Sequence, residues 1–226
     1  MEKMRELVRS PDLFSLANAF FGSIAVITVL AHDISLGARL IILAAMADGL
    51  DGWAARKKGT SEFGKNLDSL ADVISFGVVP AILVFQVNTA FPTFIGGLFA
   101  SIIVICGILR LARFNILGEE ISEKMFIGLP IPASAMLIVS LYLASPELAG
   151  KTIGLVALIL ALLMISSVKY PKYTGHKFRI PVIIMGLMGL VIVINPNVFM
   201  RIFTKLFLAV AFCYVILGPI IFRKQE

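Results

Sequence analysis

Long apolar stretches alternate with short polar segments along the whole chain. An α-helix needs about 20 mostly apolar residues to cross a bilayer, and stretches near this length recur throughout. We place eight spans at residues 13–31, 37–57, 64–87, 92–114, 127–145, 152–168, 179–195 and 203–222. The pattern predicts an all-α, polytopic membrane protein of about eight transmembrane helices, with residues 1–226 forming one transmembrane domain.

A six-span topology is the alternative, and it requires two of the last segments to merge or drop out. The segment 169–179 argues against a merger because it is rich in Lys and Arg. Basic segments of this kind lie at the membrane surface and separate neighbouring spans. We therefore expect eight helices.

Composition limits the class of protein further. Hydrophobic residues make up 59% of the 226 residues and charged residues 15%. Soluble domains are roughly 45–50% apolar and about 25% charged, so no substantial soluble domain fits in this chain. Cys106 and Cys213 both lie in apolar runs, and they indicate neither a disulfide framework nor a zinc site.

The net charge indicates possible partners, and the positions of the Lys and Arg residues indicate the orientation of the chain in the membrane. The formal charge of +6 suits contact with anionic phosphates or lipid head groups, and it also fits the usual excess of Lys and Arg on cytoplasmic loops. The basic residues form no continuous stripe, which argues against nucleic-acid binding. With the N-terminus inside, sixteen of the 20 Lys and Arg residues fall on the cytoplasmic side. We expect a multi-pass cell-membrane protein whose two termini, including residues 1–12, are cytoplasmic.

Four aspartates lie in the second and third predicted spans, where acids are rare and usually functional. One helical face of the second span carries residues spaced i, i+3, i+4, i+7 and i+8, namely Asp48, Asp51, Gly52, Ala55 and Arg56. The third span presents a second such face through Gly64, Asp68 and Asp72. The two faces therefore offer two acids each.

The segment between the two helices, with Gly59, Thr60 and Ser61, predicts a turn. Asp48 and Asp72 each lie twelve residues from position 60, and Asp51 and Asp68 lie nine and eight residues from it. If the helices run antiparallel from this turn, the four carboxylates reach similar depths, about 12–18 Å along each helix. They are expected to converge on a pocket just below the cytoplasmic surface, so the active site would face the cytoplasm.

Four carboxylates in one apolar pocket repel each other and cannot all stay ionised without a compensating cation. A ligand set made only of oxygens favours Mg²⁺, Mn²⁺ or Ca²⁺ over Zn²⁺. The sequence therefore predicts a divalent metal at the four aspartates. Intramembrane acids also line ion pathways, so a membrane cation transporter is an alternative function of another class.

Gly52, Ala55 and Arg56 share the helix face of the first two acids. Small side chains leave room for a bulky ligand against the backbone, although they equally allow close packing of helices. Arg56 can clamp a phosphate through the fork of its guanidinium, or anchor the helix at the cytoplasmic surface. We expect this face to take part in binding a phosphate-bearing substrate.

The pattern Asp48-x2-Asp51-Gly52-x2-Ala55-Arg56, followed by Gly64-x3-Asp68-x3-Asp72, resembles the signature of the CDP-alcohol phosphatidyltransferase family. Every fixed position of that signature is present. The resemblance implies a membrane enzyme with a six-helix core that transfers a phosphatidyl group from a CDP-linked lipid to an alcohol and releases CMP. It also implies Mg²⁺ or Mn²⁺ at the aspartates, as one or two ions, and a homodimer.

The resemblance further assigns roles to individual residues. Asp72, besides contacting metal, is the general base that takes the proton of the acceptor hydroxyl. The CDP-lipid site is assigned to Asn18, Asp48, Gly52, Ala55, Arg56, Ser61 and Gly64. Asn18 is included because residues 11–18 resemble the start of the family's first helix, although Asp12 and Ser15 differ from its commoner residues there.

A second stretch indicates which alcohol accepts the phosphatidyl group. Residues 109–115 read Leu-Arg-Leu-Ala-Arg-Phe-Asn, and residues 126–132 read Phe-Ile-Gly-Leu-Pro-Ile-Pro. This arrangement is similar to the membrane-embedded branch of the family that uses L-serine. Arg110 and Arg113 share a helix face and, with Asn115, are predicted to bind the serine carboxylate. Gly128 would permit a tight turn in a loop over that pocket.

The expected partners are therefore CDP-diacylglycerol or an ether-lipid analogue, L-serine and the lipid bilayer. Glycerol 3-phosphate and inositol phosphate are alternative acceptors, because the same two arginines can bind their phosphate. The sequence leaves the chemistry of the lipid tails open.

Overall fold

The computed structural model describes residues 7–59, 61–122, 125–171, 179–194 and 198–223. The helices are α1 (Asp12–Leu30), α2 (Ile34–Lys58), α3 (Glu62–Asp72), α4 (Val79–Val87), α5 (Thr93–Ser122), α6 (Ile131–Ala144), α7 (Pro146–Ile165), α8 (Arg179–Ile194) and α9 (Val198–Arg223). A π-helical turn, Val73–Val78, joins α3 and α4 into one continuous helix. Two short strands, β1 (Met125–Ile127) and β2 (Lys169–Pro171), pair with each other.

Eight helical segments result over the described residues when α3, the π-helical turn and α4 are counted as one, and each overlaps one predicted span. Four of them are long and apolar enough to cross a membrane: Asp12–Leu30, Glu62–Val87, Thr93–Ile116 and Pro146–Ile165. Large apolar side chains face outward, among them Phe20 and Phe94, which are 62% and 75% exposed. Lipid stabilises such a surface better than water does. The prediction of an all-α, multi-pass membrane protein is confirmed.

Two span boundaries were wrong around the short strands. The predicted fifth span began at residue 127, but Met125–Ile127 is a strand and α6 begins only at Ile131, after the extended backbone of Pro130. The predicted sixth span reached residue 168, but α7 ends at Ile165 and a strand follows at Lys169–Pro171. Strands of three residues are too short to show an alternating pattern, and here they are stabilised by pairing between distant segments.

The first helix packs against both helices that carry the acids. Contacts between α1 and α2 are extensive, α1 also packs along α3, and α2 and α3 hardly touch each other directly over the described residues. The buried face of α1 is polar in its first half and apolar in its second, and it consists of Asp12, Ser15, Asn18, Gly22, Ala25 and Val29. The polar half of α1 therefore faces the region where the acids converge.

The strand pair lies beside α5 and is held there by contacts with α9. Phe126 lies opposite Tyr170 in the antiparallel register, and the buried ring of Tyr170 lies 5.6 Å from that of Tyr214 on α9. The hydroxyl of Tyr214 also donates a 3.3 Å hydrogen bond to the carbonyl of Pro171. Through these contacts α9 holds the strand pair in place beside α5.

Candidate active site

Three of the four predicted acids come together in one place. Asp48 projects from α2, Asp68 and Asp72 project from α3, and each offers a carboxylate oxygen within 4.8 Å of the other two. Asp68 and Asp72 are one helical turn apart, so a single face of α3 presents both. We call Asp48, Asp68 and Asp72 the three-acid cluster.

The fourth acid, Asp51, is held by a different contact. It lies almost one turn beyond Asp48 on α2 and is only 8% exposed. The hydroxyl of Ser15, on α1, donates a hydrogen bond to Oδ2 of Asp51. Among the described residues, Asp51 is therefore engaged with α1 while the other three acids face each other.

Asp72 is also tied to the first helix. The side-chain amide of Asn18 donates a 3.0 Å hydrogen bond to Oδ1 of Asp72. The hydroxyl of Ser75, within the π-helical turn, donates a 2.9 Å bond to the backbone carbonyl of Asn18. A side chain at Gly22 would collide with Ser75, so only glycine allows this close approach of the two helices. The π-helical turn that follows Asp72 is thus locked against α1, and such turns are frequent at functional sites.

Two buried oxygen atoms at this site have no hydrogen-bond partner among the described residues: Oδ1 of Asp68 and Oδ1 of Asn18. A buried acceptor without a partner is costly, because it has lost its hydration without replacement. A divalent cation would satisfy the carboxylate and relieve the repulsion within the three-acid cluster. An all-oxygen donor set suits a hard cation such as Mg²⁺ or Mn²⁺, so the residues present fit a metal site.

The predicted CDP-lipid residues lie on the first three helices and in the turn between α2 and α3. Ser61 caps α3 by accepting a 3.0 Å hydrogen bond from the backbone N–H of Gly64. A Cβ at position 64 would lie 2.6 Å from Oδ1 of Asp12, so Gly64 permits close packing of the start of α1. Gly52 is exposed on α2. Ala55 and Arg56 belong to α2, but their side chains lie outside the described residues.

Arg110 is a buried cation beside the acids. It projects from α5, is 5% exposed, and interacts electrostatically with Asp72 and Asp48. Its guanidinium carbon lies 5.3 Å from the ring centroid of Phe114 and 5.6 Å from that of Phe126. Its Nε has no hydrogen-bond partner among the described residues. Arg110 therefore presents an unused donor, stacked between two rings, next to the three-acid cluster.

Arg113 is occupied by the backbone instead. Its guanidinium donates hydrogen bonds of 2.8 to 3.0 Å to the carbonyls of Ile127, Met164 and Ile165. Arg113 thus joins α5, the end of β1 and the end of α7. These contacts give it a clear role in holding the strand pair, and they leave Arg110 as the better placed of the two arginines for a ligand.

Gly128 and Asn115 have structural contacts as well. Gly128 has a φ of +78°, and its N–H donates a 2.7 Å hydrogen bond to the carbonyl of Val168. A side chain there would collide with the carbonyl of Met164, so the predicted tight turn needs glycine at this position. Asn115 exchanges hydrogen bonds of 3.0 and 3.3 Å with Ser69 on α3.

Some residues of the site were missed by the reasoning from sequence. Ser15 was seen only as a departure from a family pattern, yet its hydroxyl contacts Asp51. The sequence motif contains Phe114 and Phe126 but gives no sign that their rings flank the guanidinium of Arg110. The spacing of Ser15 and Asn18, three residues apart in one helix, was the available signal that both face the acids.

Comparison with known proteins agrees with this chemistry. A family model described as CDP-alcohol phosphatidyltransferase matches residues 8–166, which span helices α1 to α7. Counting α3 and α4 as one, that range contains six helical segments, in line with the six-helix core that the resemblance implied. The helices α8 and α9 lie outside the matched range.

Individual relatives are similar over most of the chain. An archaetidylserine synthase from Methanothermobacter thermautotrophicus is 42% identical over 179 residues, which is 77% of this chain and 74% of the relative. A CDP-diacylglycerol–serine O-phosphatidyltransferase from Methanocaldococcus jannaschii is 41% identical over 180 residues, 79% of this chain and 81% of the relative. One of the same name from Helicobacter pylori is 34% identical over 228 residues, 96% of this chain and 95% of the relative.

Proposed function

Because the chain belongs to the CDP-alcohol phosphatidyltransferase family, we propose that it transfers the phosphatidyl-type group of a CDP-linked lipid to the hydroxyl of L-serine and releases CMP. The product is phosphatidylserine or its ether-lipid counterpart, archaetidylserine. The observation that carries the proposal is the buried, stacked guanidinium of Arg110 beside a three-acid cluster, in a chain whose relatives are named for serine transfer. The protein is then a membrane-bound transferase of phospholipid biosynthesis.

The metal site consists of the three-acid cluster together with Asp51. Asp48, Asp68 and Asp72 hold the cation, and Asp51 serves as the fourth ligand. When bound, Mg²⁺ or Mn²⁺ supplies the positive charge that neutralises the diphosphate and stabilises the departing CMP. Four carboxylates provide enough oxygen ligands for one or two ions.

Asp72 is the proposed general base. One of its oxygens, Oδ1, accepts the amide of Asn18, which leaves Oδ2 for the proton of the serine hydroxyl. The serine oxygen attacks the phosphorus that bears the lipid. A new P–O bond forms as the bond to the phosphate oxygen of CMP breaks, and the hydroxyl proton passes to Asp72. A base placed within hydrogen-bond reach contributes typically about 10²–10⁴-fold to such a rate.

The CDP-lipid binds against the face of α2 and the start of α3. The family resemblance assigns Gly52 and Ala55 to the diphosphate site and Arg56 to pairing with the diphosphate. Ser61 and Gly64 line the turn between the two helices. Oδ1 of Asn18, which has no hydrogen-bond partner within the described ranges, provides an acceptor for the nucleotide.

Serine is recognised mainly by Arg110. A guanidinium offers two parallel donors to a carboxylate, and burial strengthens the pairing. The rings of Phe114 and Phe126 hold the guanidinium flat and keep water from its faces. Arg113, Asn115 and Gly128 then shape the pocket through their contacts with the strand pair and α3.

The proposal also covers the orientation of the protein in the membrane and its oligomeric state. The active site faces the cytoplasm with both termini on that side, as the distribution of Lys and Arg indicates. The family resemblance supports a homodimer. A cysteine-labelling experiment from either side of sealed vesicles tests the orientation, and the molecular mass of the detergent-purified protein tests the dimer.

One assay tests the reaction. Purified protein is given a CDP-linked lipid with Mn²⁺ or Mg²⁺, and CMP release is measured with serine, glycerol 3-phosphate, inositol phosphate or no acceptor. Serine-dependent release that EDTA abolishes is the expected result, and running both diacyl and ether CDP-lipids identifies the preferred tails. CMP release with a phosphorylated acceptor but not with serine would show that the chain is a member of the family that uses another acceptor alcohol. Metal flux in liposomes without any CMP release would favour a cation transporter instead.

A further inference from the structure

The first helix contacts two of the four acids through two neighbouring polar side chains. Ser15 donates to Asp51 and Asn18 donates to Asp72, and both donors are fully buried. They lie three residues apart, on the same face of α1. The two acids they contact belong to different helices, which hardly touch each other directly over the described residues.

A carboxylate in a buried site needs its orientation fixed before it can bind a cation well. Side chains that hydrogen-bond to ligands perform this task, and their loss typically costs about 10–100-fold in metal affinity or activity. Asn18 has this relationship with Asp72. Ser15 has the same relationship with Asp51, and its hydroxyl occupies only Oδ2, so the other oxygen of Asp51 stays free of Ser15.

We propose that Ser15 is a positioning residue of the metal site: its hydroxyl holds the Asp51 carboxylate in the orientation in which this acid serves as the fourth ligand. The proposal rests on the metal site described under the proposed function. It assigns a role to a residue that the family pattern alone left unexplained. Without this hydroxyl, the buried Asp51 carboxylate loses the donor that restrains it and turns away from the orientation needed for the cation.

The first test is Mn²⁺ binding to the purified full-length protein, measured by electron paramagnetic resonance and by the Mn²⁺-dependent rise in melting temperature. Ser15→Ala is expected to weaken Mn²⁺ binding by about tenfold. Ser15→Thr keeps a hydroxyl and should restore most of the affinity. Ser23→Ala is the matched control, because Ser23 lies on the same helix and its hydroxyl donates a hydrogen bond to the carbonyl of Ala19 on an exposed face.

A double-mutant cycle distinguishes positioning from general damage. If Ser15 acts through Asp51, Ser15→Ala should weaken Mn²⁺ binding in the wild-type background and have no further effect in an Asp51→Asn background. Effects that simply add would overturn the proposal. So would a Ser15→Ala protein that melts at a lower temperature in EDTA but binds Mn²⁺ as the wild type does, since that pattern marks a purely structural serine.

Mn²⁺ binding by the wild-type protein distinguishes a failure of the proposed role of Ser15 from a failure of the proposed metal site. Wild-type protein that binds no Mn²⁺, or binds it equally after Asp68→Asn, contradicts the metal site itself. Wild-type protein that binds Mn²⁺ and loses it with Asp68→Asn, but keeps it with Ser15→Ala, contradicts only the role of Ser15.

Discussion

The side-chain amide of Asn18 donates a 3.0 Å hydrogen bond to Oδ1 of Asp72, although 54 positions separate the two residues in the chain. Ser75 also holds Asn18, because its hydroxyl donates a hydrogen bond to the backbone carbonyl of Asn18. The orientation of Asp72 therefore depends on a residue of another helix. If Asp72 is the base, Asn18 controls which of its oxygens meets the acceptor hydroxyl.

Asn18→Ala should reduce turnover more than it reduces metal binding. Removing the amide frees the Asp72 carboxylate to rotate, so kcat is expected to fall about 10–100-fold. CMP release at saturating Mn²⁺ and serine measures this effect. Asn88→Ala is a matched control, since its amide bonds the carbonyl of Phe91 beyond the far end of α4, and it should leave kcat unchanged.

Asp72→Asn should stop turnover while the protein still binds the CDP-linked lipid. An amide cannot take the hydroxyl proton, so the rate is expected to drop by about 100-fold or more. Protection of the protein against thermal unfolding by the CDP-lipid measures the binding that remains. If that protection disappears altogether, Asp72 serves mainly as a metal ligand and the base lies elsewhere.

Asp68→Asn should abolish CMP release and the Mn²⁺-dependent stabilisation together. The buried Oδ1 of Asp68 has no protein partner over the described residues, and the variant removes the charge that would bind the cation. Size-exclusion chromatography in detergent checks that the variant stays folded. Asp33→Asn is the matched control, because the carbonyl of an asparagine can still accept the 3.0 Å bond from the N–H of Leu36. Turnover by the Asp68 variant would rule out its role in the site.

Arg110→Lys should raise the KM for serine far more than the KM for the CDP-linked lipid. Lysine keeps the charge but lacks the planar fork and its stacking on Phe114 and Phe126, so an increase of about tenfold or more in the serine KM is expected. Steady-state CMP release with each substrate varied in turn gives the two constants. Equal increases in both constants would mean that Arg110 supports the site as a whole and does not select the acceptor.

Gly128→Ala should lower stability. The φ of +78° is strained for alanine, and the added Cβ meets the carbonyl of Met164. A loss of about 1–3 kcal/mol in the free energy of unfolding is expected from such strain. Unfolding in detergent followed by circular dichroism provides the measurement. Gly186→Ala in α8 has open space around its Cβ and should be neutral or slightly stabilising, which makes it the control.

The sequence predicted the eight helical segments because each contains a mostly apolar run. In lipid, a single apolar run satisfies its own backbone hydrogen bonds by forming a helix. It also predicted that all four acids would meet, because spacings of three or four residues and a short turn constrain both helices locally. The structure brings Asp48, Asp68 and Asp72 together, while Asp51 bonds Ser15 on the first helix. It did not predict the strands Met125–Ile127 and Lys169–Pro171, whose pairing joins segments more than 40 residues apart and leaves no periodic trace in three residues.

The amino-acid sequence by itself thus determined the membrane character, the helices and the meeting of acids from two helices, since all three follow from local composition and helical spacing. Only the tertiary structure decided which partner each site residue has. Ser15 contacts Asp51, Asn18 contacts Asp72, and Arg113 bonds backbone carbonyls, while Nε of Arg110 has no hydrogen-bond partner in the described part of the chain. Such choices depend on how distant helices pack and rotate against each other, and a spacing rule within one helix holds no information about its neighbours.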